Sequence, residues 1–235
     1  MSLAALRKEY TLSALDESDL DPEPFRQFDK WFQEAVEARG AGSRLRAFSI
    51  GLYKAFQSLL GARPIDPNAM ALATTDKDGR PSVRMVLLKG VDQRGFIFFT
   101  NYESRKGREL AGVPNAAIVL HWAELERQIC ARGVVTKLPR EEAEAYFQSR
   151  PRGARLAAWV SKQSTVVASR GFLEERMREV TAQYPADVPM PDYWGGYVLS
   201  PIEIEFWQGR VNRLHDRLRY ARQPDGSWKI ERLSP

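Results

Sequence analysis

Residues 71–100, with the sequence ALATTDKDGRPSVRMVLLKGVDQRGFIFFT, contain three apolar segments separated by two polar turns. The segments 71–75, 83–89 and 96–100 are rich in branched and aromatic residues, which is typical of β-strands. The turns at 76–79 and 92–95 each begin with Asp and end with Gly, a pattern that favours hairpins. This stretch therefore predicts three consecutive antiparallel strands.

Short strands continue toward the C-terminus, with helices between them. We predict strands at 116–122, 127–136, 197–202, 204–207, 218–221 and 228–232. We predict helices at 104–111, from 139 onward, at 154–160 and at 169–183. The strand–helix alternation of a parallel sheet is missing, and consecutive hairpins favour an antiparallel meander in a β-barrel. The sequence therefore predicts a single mainly β domain over residues 1–235, with peripheral helices.

Two helices are predicted before the first strand. Between residues 18 and 38, apolar side chains recur at helical spacing and share one side of the helix. These residues are Phe25, Phe28, Trp31, Phe32 and Val36. A second helix is predicted between residues 40 and 63. It either packs on its own domain, which we favour, or binds a membrane surface or a partner.

Composition excludes several classes of protein. Of the 235 residues, 43% are hydrophobic and 28% are charged, as in a folded globular protein and unlike a disordered chain. The longest run without charged residues, 110–123, contains Pro114 and is shorter than the ~18 apolar residues of a membrane helix. The single cysteine, Cys130, cannot form an intrachain disulfide. With only two histidines, His121 and His215, a zinc site rich in His or Cys cannot be assembled. No secretory signal is recognisable, so a cytoplasmic location is expected.

The formal net charge of +5 favours an anionic partner, either a nucleic acid or a phosphorylated small molecule. The segment 40–42, Gly-Ala-Gly, lacks the third glycine and the preceding strand of a dinucleotide-binding fold. The phosphate-binding loop of nucleotide hydrolases and the G-x-S-x-G motif of acyl hydrolases do not occur. The anion must therefore be bound by another arrangement of basic residues.

Two clusters of basic residues are candidate phosphate sites. Ser104 can cap a helix whose first turn carries Arg105 and Lys106. Cations at that end oppose the helix dipole unless an anion joins them. The second cluster lies in the segment 146–152, which contains a tyrosine and two arginines. Each cluster is either an anion site or a group of solvated surface cations.

The segment 206–217 concentrates chemically active side chains. If it is an extended strand, alternation places Arg213, His215 and Arg217 on one face. Three cationic or proton-bearing groups on one face would repel each other without an anionic ligand. The alternative is a surface on which Asp216 and nearby glutamates form salt bridges.

Seven blocks of sequence carry a family resemblance. They are 7–10 (RKEY), 84–89 (RMVLLK), 104–106 (SRK), 125–128 (LERQ), 149–152 (SRPR), 159–164 (WVSKQS), and 206–209 (FWQG) with 213–217 (RLHDR). In this order and over nearly the whole chain, they resemble the pyridoxamine 5′-phosphate oxidase family. Members of that family are flavin enzymes with an FMN-binding split β-barrel.

The resemblance implies oxidation of pyridoxamine or pyridoxine 5′-phosphate to pyridoxal 5′-phosphate by a homodimer, with FMN as cofactor and O2 as acceptor, giving H2O2. The implied cofactor site comprises Arg84, Met85, Val86, Leu87, Leu88, Lys89, Phe99, Thr100, Arg105, Lys106, Gln128, Gln163, Ser164, Trp207 and Arg217. The implied substrate contacts are Arg7, Lys8, Glu9, Tyr10, Lys89, Tyr146, Arg150, Arg213, Leu214 and His215. Arg213 and His215 are the implied catalytic residues, and residues 7–10 are implied to close over the substrate. No metal, nucleic acid or membrane span is implied.

The chain departs from the family pattern at three places. Ala154 stands where a serine usually binds the substrate phosphate, and a lost hydrogen bond of this kind costs ~1.5–3 kcal/mol. Phe99 replaces a common tyrosine, and residues 40–64 resemble a helical insertion. Three other functions stay open: a split-barrel flavin oxidoreductase with another substrate, a module that binds single-stranded nucleic acid, and a carrier of pyridoxal phosphate.

Overall fold

The computed structural model describes residues 9–47 and 66–235, and for residues 39–47 it describes the backbone only. Its helices are α1 (Pro24–Ala47), α2 (Arg105–Gly112), α3 (Arg140–Ser149), α4 (Arg152–Val160) and α5 (Arg170–Gln183). Its strands are β1 (Ala69–Thr75), β2 (Pro81–Leu87), β3 (Gly90–Asp92), β4 (Gly95–Asn101), β5 (Asn115–Trp122), β6 (Arg127–Lys137), β7 (Trp194–Gln208), β8 (Asp216–Arg222) and β9 (Trp228–Arg232). Short 3-10 helices lie at Glu17–Asp19 and Val211–Arg213. Within these ranges, no helix combines the length and the apolar character that crossing a membrane requires.

The strand order differs from the predicted meander. The sheet has the order β2-β1-β5-β6-β7-β4-β3, and β8 and β9 follow from β7. The predicted hairpins β1–β2, β5–β6 and β8–β9 are present. The hairpin predicted between residues 83–89 and 96–100 is not: β2 pairs with β1, whereas β4 pairs with the short strand β3 and with β7, where Phe96 lies opposite Leu199. The meander is therefore wrong at β4, because α2 follows that strand and a tight turn cannot lead from it into β5.

Strand β7 corrects a second prediction, since residues 194–208 form one long strand where two were expected. Its first part pairs with β4 up to Leu199, and its last part pairs with β8 from Glu203 onward. Pro201 lies between the two paired stretches. A proline has no backbone N–H to donate, so it is tolerated where the pairing partner changes. The sequence predicted a break at Glu203, but β7 continues through that residue and changes its pairing partner near Pro201.

The described residues divide into two compact units, and the first contains residues 9–47, 66–71, 118–132 and 201–235. In this unit Phe25, Phe28 and Trp31 of α1 are buried, and the Trp31 ring meets Phe206 edge-on at 5.1 Å between centroids. The helix begins at Pro24, within the stretch 18–38 where helical spacing was predicted, because a residue before proline is disfavoured in helix whereas proline suits the first helical position.

The predicted second helix at 40–63 has two outcomes. Residues 40–47 continue α1, so no separate helix begins at residue 40. Residues 48–63 lie outside the described residues. The insertion at 40–64 and the single-domain organisation stay predictions.

The second unit contains residues 72–117 and 133–200. Helices α3, α4 and α5 pack around the start of β7 in a cluster that includes Phe147, Leu156, Val180 and Trp194. Each helix begins within two residues of its predicted start, and Ser169 caps α5 by accepting a hydrogen bond from the Phe172 N–H at 3.1 Å. This cluster holds α3 and α4 beside the strands that carry the candidate site.

Candidate active site

A cavity of about 570 Å³ lies in the second unit. Its walls are Met85, Val86, Leu87, Lys89, Phe99, Thr100, Asn101, Lys106, Tyr146, Arg150, Pro151, Ala154, Ala157, Ala158, Ser161, Gln163 and Trp194. The cavity thus brings together eight residues of the predicted cofactor site with Tyr146 and Arg150 of the predicted substrate site. These ten residues come from β2, β4, α2, α3 and the segments that directly follow β2, α3 and α4, which are far apart in sequence.

Lys106 places a buried ammonium group at the start of α2. Ser104 caps this helix, since its hydroxyl accepts a hydrogen bond from the Gly107 N–H at 3.2 Å. Lys106 Nζ lies 3.0 Å from Gln163 Oε1 and 3.2 Å from Thr100 Oγ1. Burial, and then the charge of Arg84, lower the pKa of Lys106 to about 8. Because these hydrogen-bond partners are neutral, an anion in the cavity would stabilise the charged lysine.

Glu109 on α2 binds two arginines of the predicted cofactor site. Its carboxylate oxygens lie 3.1 Å from Arg84 Nη2 and 2.8 Å from Arg105 Nε. One of them also accepts hydrogen bonds from the hydroxyls of Ser82 and Thr74. Burial raises the pKa of Glu109, but these hydrogen bonds outweigh burial and hold the pKa at about 2. Both guanidinium groups therefore already have an anionic partner.

Arg150 forms a second cationic centre on the cavity wall. Its guanidinium carbon lies 4.8 Å from the ring centroid of Trp194, and Phe99 stacks on Tyr146 at 3.9 Å between centroids. Burial lowers the pKa of Arg150. Among the described residues, no group accepts a hydrogen bond from its buried Nη1 atom. An unpaired buried donor is costly, so an anionic ligand in this cavity fits Arg150.

In the first unit, Tyr10, Trp207 and His215 form an aromatic cluster. The Tyr10 ring centroid lies 5.7 Å from that of Trp207 and 5.6 Å from that of His215, and the last two are 4.7 Å apart. His215 Nδ1 accepts a hydrogen bond from the Arg210 N–H at 3.1 Å. The neutral imidazole therefore carries its proton on Nε2, which makes Nε2 a hydrogen-bond donor.

The backbone at Arg213 corrects the predicted alternation. Residues Val211–Arg213 form a 3-10 turn, and β8 begins only at Asp216. Asn212 and Arg213 have φ values of 55° and 61°, in the left-handed region. Because extended geometry does not apply at Arg213, the prediction that alternation groups it with His215 and Arg217 is wrong.

Arg217 and Gln128 also lie in the first unit, on β8 and β6. Arg217 makes two hydrogen bonds to the Glu205 carboxylate, at 2.8 and 2.9 Å, which raise its pKa. It lies opposite Trp207 in the β7–β8 ladder. Gln128 Nε2 lies 3.2 Å from the Cys130 sulfur. The roles of Gln128, Trp207 and Arg217 in cofactor binding stay predictions.

The remaining predicted residues have varied surroundings. Leu88 is buried, whereas Glu9 and Leu214 are exposed. Ser164 lines a second cavity of about 570 Å³ in the second unit. Arg7 and Lys8 lie outside the described residues.

The sequence analysis missed Trp194, Glu109 and Glu126. Trp194 gives no local signal, because its position on the cavity wall depends on the start of β7. Glu109 could have been found as the acidic partner four residues after Arg105 on one helix face. Glu126 lies in a family-like block, but only Gln128 of that block had an implied role.

Comparison with known proteins agrees with this architecture. A family model described as pyridoxamine 5′-phosphate oxidase matches residues 55–184, and one described as a pyridoxine 5′-phosphate oxidase C-terminal dimerisation region matches residues 194–235. A pyridoxine/pyridoxamine 5′-phosphate oxidase of Paraburkholderia phytofirmans is 52% identical over 100% of this chain and 99% of its own length. A protein of the same name from Burkholderia mallei is 49% identical with the same coverage.

Solved structures show the same fold. PhzG from Burkholderia lata 383, in complex with tetrahydrophenazine-1-carboxylic acid, has a TM-score of 0.76 at 31% identity, over 95% of this chain and 99% of PhzG. A pyridoxamine 5′-phosphate oxidase-related, FMN binding protein from Nostoc punctiforme has a TM-score of 0.59 at 20% identity, over 72% of this chain and 88% of its own. The fold is therefore the split barrel of flavin-binding proteins, as predicted. Within that class, the chain belongs to the pyridoxamine 5′-phosphate oxidase family.

Proposed function

We propose that this protein catalyses the FMN-dependent oxidation of pyridoxamine or pyridoxine 5′-phosphate to pyridoxal 5′-phosphate. Oxygen accepts two electrons and becomes hydrogen peroxide, and the amine substrate also consumes water and releases ammonia. One observation carries the proposal: a single cavity holds two separate cationic centres, Lys106 and Arg150, which suit the phosphates of a cofactor and a substrate. The names of the full-length relatives support the same reaction.

The Lys106 centre fits the phosphate of FMN. A buried ammonium with neutral hydrogen-bond partners, beside the N-terminus of α2, provides charge and hydrogen-bond donors for a phosphate. Met85, Val86 and Leu87 of β2 line the same cavity, and such an apolar stretch of strand suits a flavin ring. When bound, FMN accepts the hydride from substrate C4′ and passes its electrons to oxygen. The protein's residues bind and orient both molecules.

The Arg150 centre, with Lys89 and Tyr146, is proposed to bind the substrate phosphate. The unpaired Nη1 of Arg150 supplies a donor, and Phe99 holds the Tyr146 ring by stacking. Arg213 and His215 are proposed to contact the pyridine ring, with Nε2 of His215 as a hydrogen-bond donor. Tyr10 and the preceding residues 7–9 are proposed to cover the ring.

We further propose that the protein is a homodimer. The match of residues 194–235 to a dimerisation region supports it. In such a dimer, Gln128, Gln163, Ser164, Trp207 and Arg217 would complete the cofactor site partly from the second subunit. Sedimentation at micromolar concentration tests this, and a monomer that retains FMN and activity would contradict it.

A second candidate is oxidation of a polycyclic carboxylic acid. PhzG was solved with tetrahydrophenazine-1-carboxylic acid, and Ala154, Ala157 and Ala158 give the present cavity a wall without hydroxyl groups. The two candidates differ in the anion that Arg150 would bind, a phosphate or a carboxylate.

Product analysis distinguishes the candidates. Purified protein with added FMN is supplied with pyridoxamine 5′-phosphate, pyridoxamine or tetrahydrophenazine-1-carboxylic acid, and aldehyde and peroxide are measured. We expect equal amounts of pyridoxal 5′-phosphate and peroxide from the phosphorylated amine, and little turnover of the other two. Efficient turnover of the tricyclic acid alone would favour the second candidate.

A further inference from the structure

Glu126 is a buried acid to which the proposed reaction gives no role. It lies in the turn between β5 and β6, is 3% exposed and has a φ of 54°. Burying a carboxylate is costly unless hydrogen bonds or opposite charges compensate it. A left-handed backbone conformation is also uncommon for a residue with a long side chain. Both features indicate that its surroundings fix Glu126 in one place.

The contacts of Glu126 connect two distant parts of the first unit. Its Oε2 atom accepts hydrogen bonds from the N–H groups of Thr11 and Leu12, at 2.9 and 3.2 Å. Its backbone carbonyl accepts hydrogen bonds from the Gly209 N–H at 2.8 Å and from Gln208 Nε2 at 3.2 Å. One residue thus binds the N-terminal segment through its side chain and the end of β7 through its backbone.

Tyr10 immediately precedes the two amides that Glu126 holds. Its ring makes edge-on contacts with the rings of Trp207 and His215, and it packs directly against Gly209. A Cβ atom at Gly209 would lie 2.7 Å from Tyr10 Cγ, so a larger residue there would displace the ring. The position of Tyr10 therefore depends on close contacts that tolerate little movement of residues 10–12.

We infer that Glu126 is a positioning residue. Its hydrogen bonds to the backbone hold residues 10–12 in place, so that the Tyr10 ring covers Trp207 and His215. Glu126 acts through Tyr10 and does not itself contact the substrate. The effect on catalysis rests on the proposed function, because it requires His215 to contact the substrate. That Glu126 holds residues 10–12 in place does not depend on that function.

Two measurements on the full-length protein with FMN test the inference. Hydrogen exchange, read by mass spectrometry on peptides that contain residues 10–15, reports how strongly the backbone amides of this segment are protected. Steady-state kinetics with pyridoxamine 5′-phosphate reports its effect on catalysis. The variants are Glu126→Ala, Glu126→Gln, Tyr10→Ala and the double variant Glu126→Ala/Tyr10→Ala. Glu124→Ala is the matched control, since Glu124 is an exposed acid in the same turn.

We expect Glu126→Ala to speed exchange at residues 11 and 12 about tenfold or more, and to lower kcat/KM about tenfold, mainly by raising KM. In the Tyr10→Ala background, the same change should leave kcat/KM unaltered. Glu126→Gln keeps an oxygen acceptor and the shape of the side chain, so we expect smaller changes in the same direction. This variant decides the question if Glu126→Ala does not fold. Glu124→Ala should match the wild type in both measurements.

Unchanged exchange in the Glu126 variants would overturn the inference. An equal loss of kcat/KM with and without Tyr10 would also overturn it, because Glu126 would then act independently of Tyr10. If the wild type does not oxidise pyridoxamine 5′-phosphate, the proposed function fails. The exchange data then still decide whether Glu126 holds residues 10–12 in place.

Discussion

At the scale of single residues, Arg150 differs from the other arginines of the proposed site in the partners of its guanidinium group. Arg84 and Arg105 share the carboxylate of Glu109, and Arg217 pairs with that of Glu205, so each of these arginines has an anionic partner within the protein. Arg150 is packed on aromatic rings, and its buried Nη1 has no acceptor among the residues that the structure describes. That difference supports the proposal that Arg150 binds the anion of the substrate.

Arg150→Ala is expected to raise KM for pyridoxamine 5′-phosphate about tenfold or more with a smaller change in kcat, because it removes anion binding shared by the ground and transition states. Steady-state kinetics checks this. Arg170→Ala is a suitable control, since that arginine is exposed and pairs with Glu174 on α5. An unchanged KM would remove Arg150 from the phosphate site.

Lys106 predicts a pH dependence of FMN binding. Its pKa is about 8 in the protein without cofactor, and a bound phosphate would raise that pKa. FMN affinity should therefore fall as pH rises from about 7 to about 9, because the ammonium loses its proton more readily when the phosphate is absent. Flavin fluorescence titrations measure the affinity. Lys106→Met should bind FMN weakly at both pH values, and a wild-type-like profile would contradict the assignment.

A substitution of Arg213 tests the proposed contact with the pyridine ring of the substrate. Arg213→Ala is expected to lose most of kcat/KM while the purified protein still contains FMN, because the proposed role of Arg213 is to orient the substrate ring. Turnover and the flavin content of the same sample are compared. Turnover like that of the wild type would show that Arg213 does not contact the substrate.

At the scale of elements, the cap of α2 connects fold and site. The Ser104 hydroxyl accepts from the Gly107 N–H and donates to the Asn101 carbonyl, at 3.2 and 2.7 Å, and it is fully buried. Ser104→Ala should therefore destabilise the protein by about 1–2 kcal/mol. Ser169→Ala removes the exposed cap of α5 and should cost less, about 0.5–1 kcal/mol. Urea unfolding measures the free energy of unfolding of both variants. Equal losses would contradict the view that burial makes the Ser104 cap more stabilising than the Ser169 cap.

Local patterns predicted most elements, because hairpin turns, helix caps and apolar periodicity depend on neighbouring residues. They did not predict that β4 pairs with β7 or that β7 is continuous through Glu203, since pairing between distant strands depends on the whole sheet. The same limit applies to the site. The basic side chains at 105–106 and 146–152 were visible in the sequence, but Trp194 was not. The sequence also does not show that Glu109 neutralises Arg84.

At the scale of the whole molecule, ion pairs predict how stability depends on pH. Glu109 has a pKa of about 2 because its hydrogen bonds, chiefly from Ser82, outweigh burial, and Glu17 has a pKa of about 2 through hydrogen bonding to Arg232. A carboxylate with a lowered pKa stabilises the folded state above its ordinary pKa of 4.5, and this contribution is lost as pH falls toward 2. Unfolding free energy should therefore decrease between these values. Glu109→Gln should flatten that decrease, and an unchanged slope would contradict it.

We propose that one cavity binds FMN beside a phosphorylated vitamin B6 compound. The electrons of that compound would pass through FMN to oxygen. The most direct measurement is the visible absorption spectrum of the purified protein with FMN, recorded without oxygen before and after addition of pyridoxamine 5′-phosphate. We predict a yellow protein that bleaches on addition of the substrate and becomes yellow again in air. A protein that stays yellow with the substrate, or one that does not bind FMN, would contradict the claim.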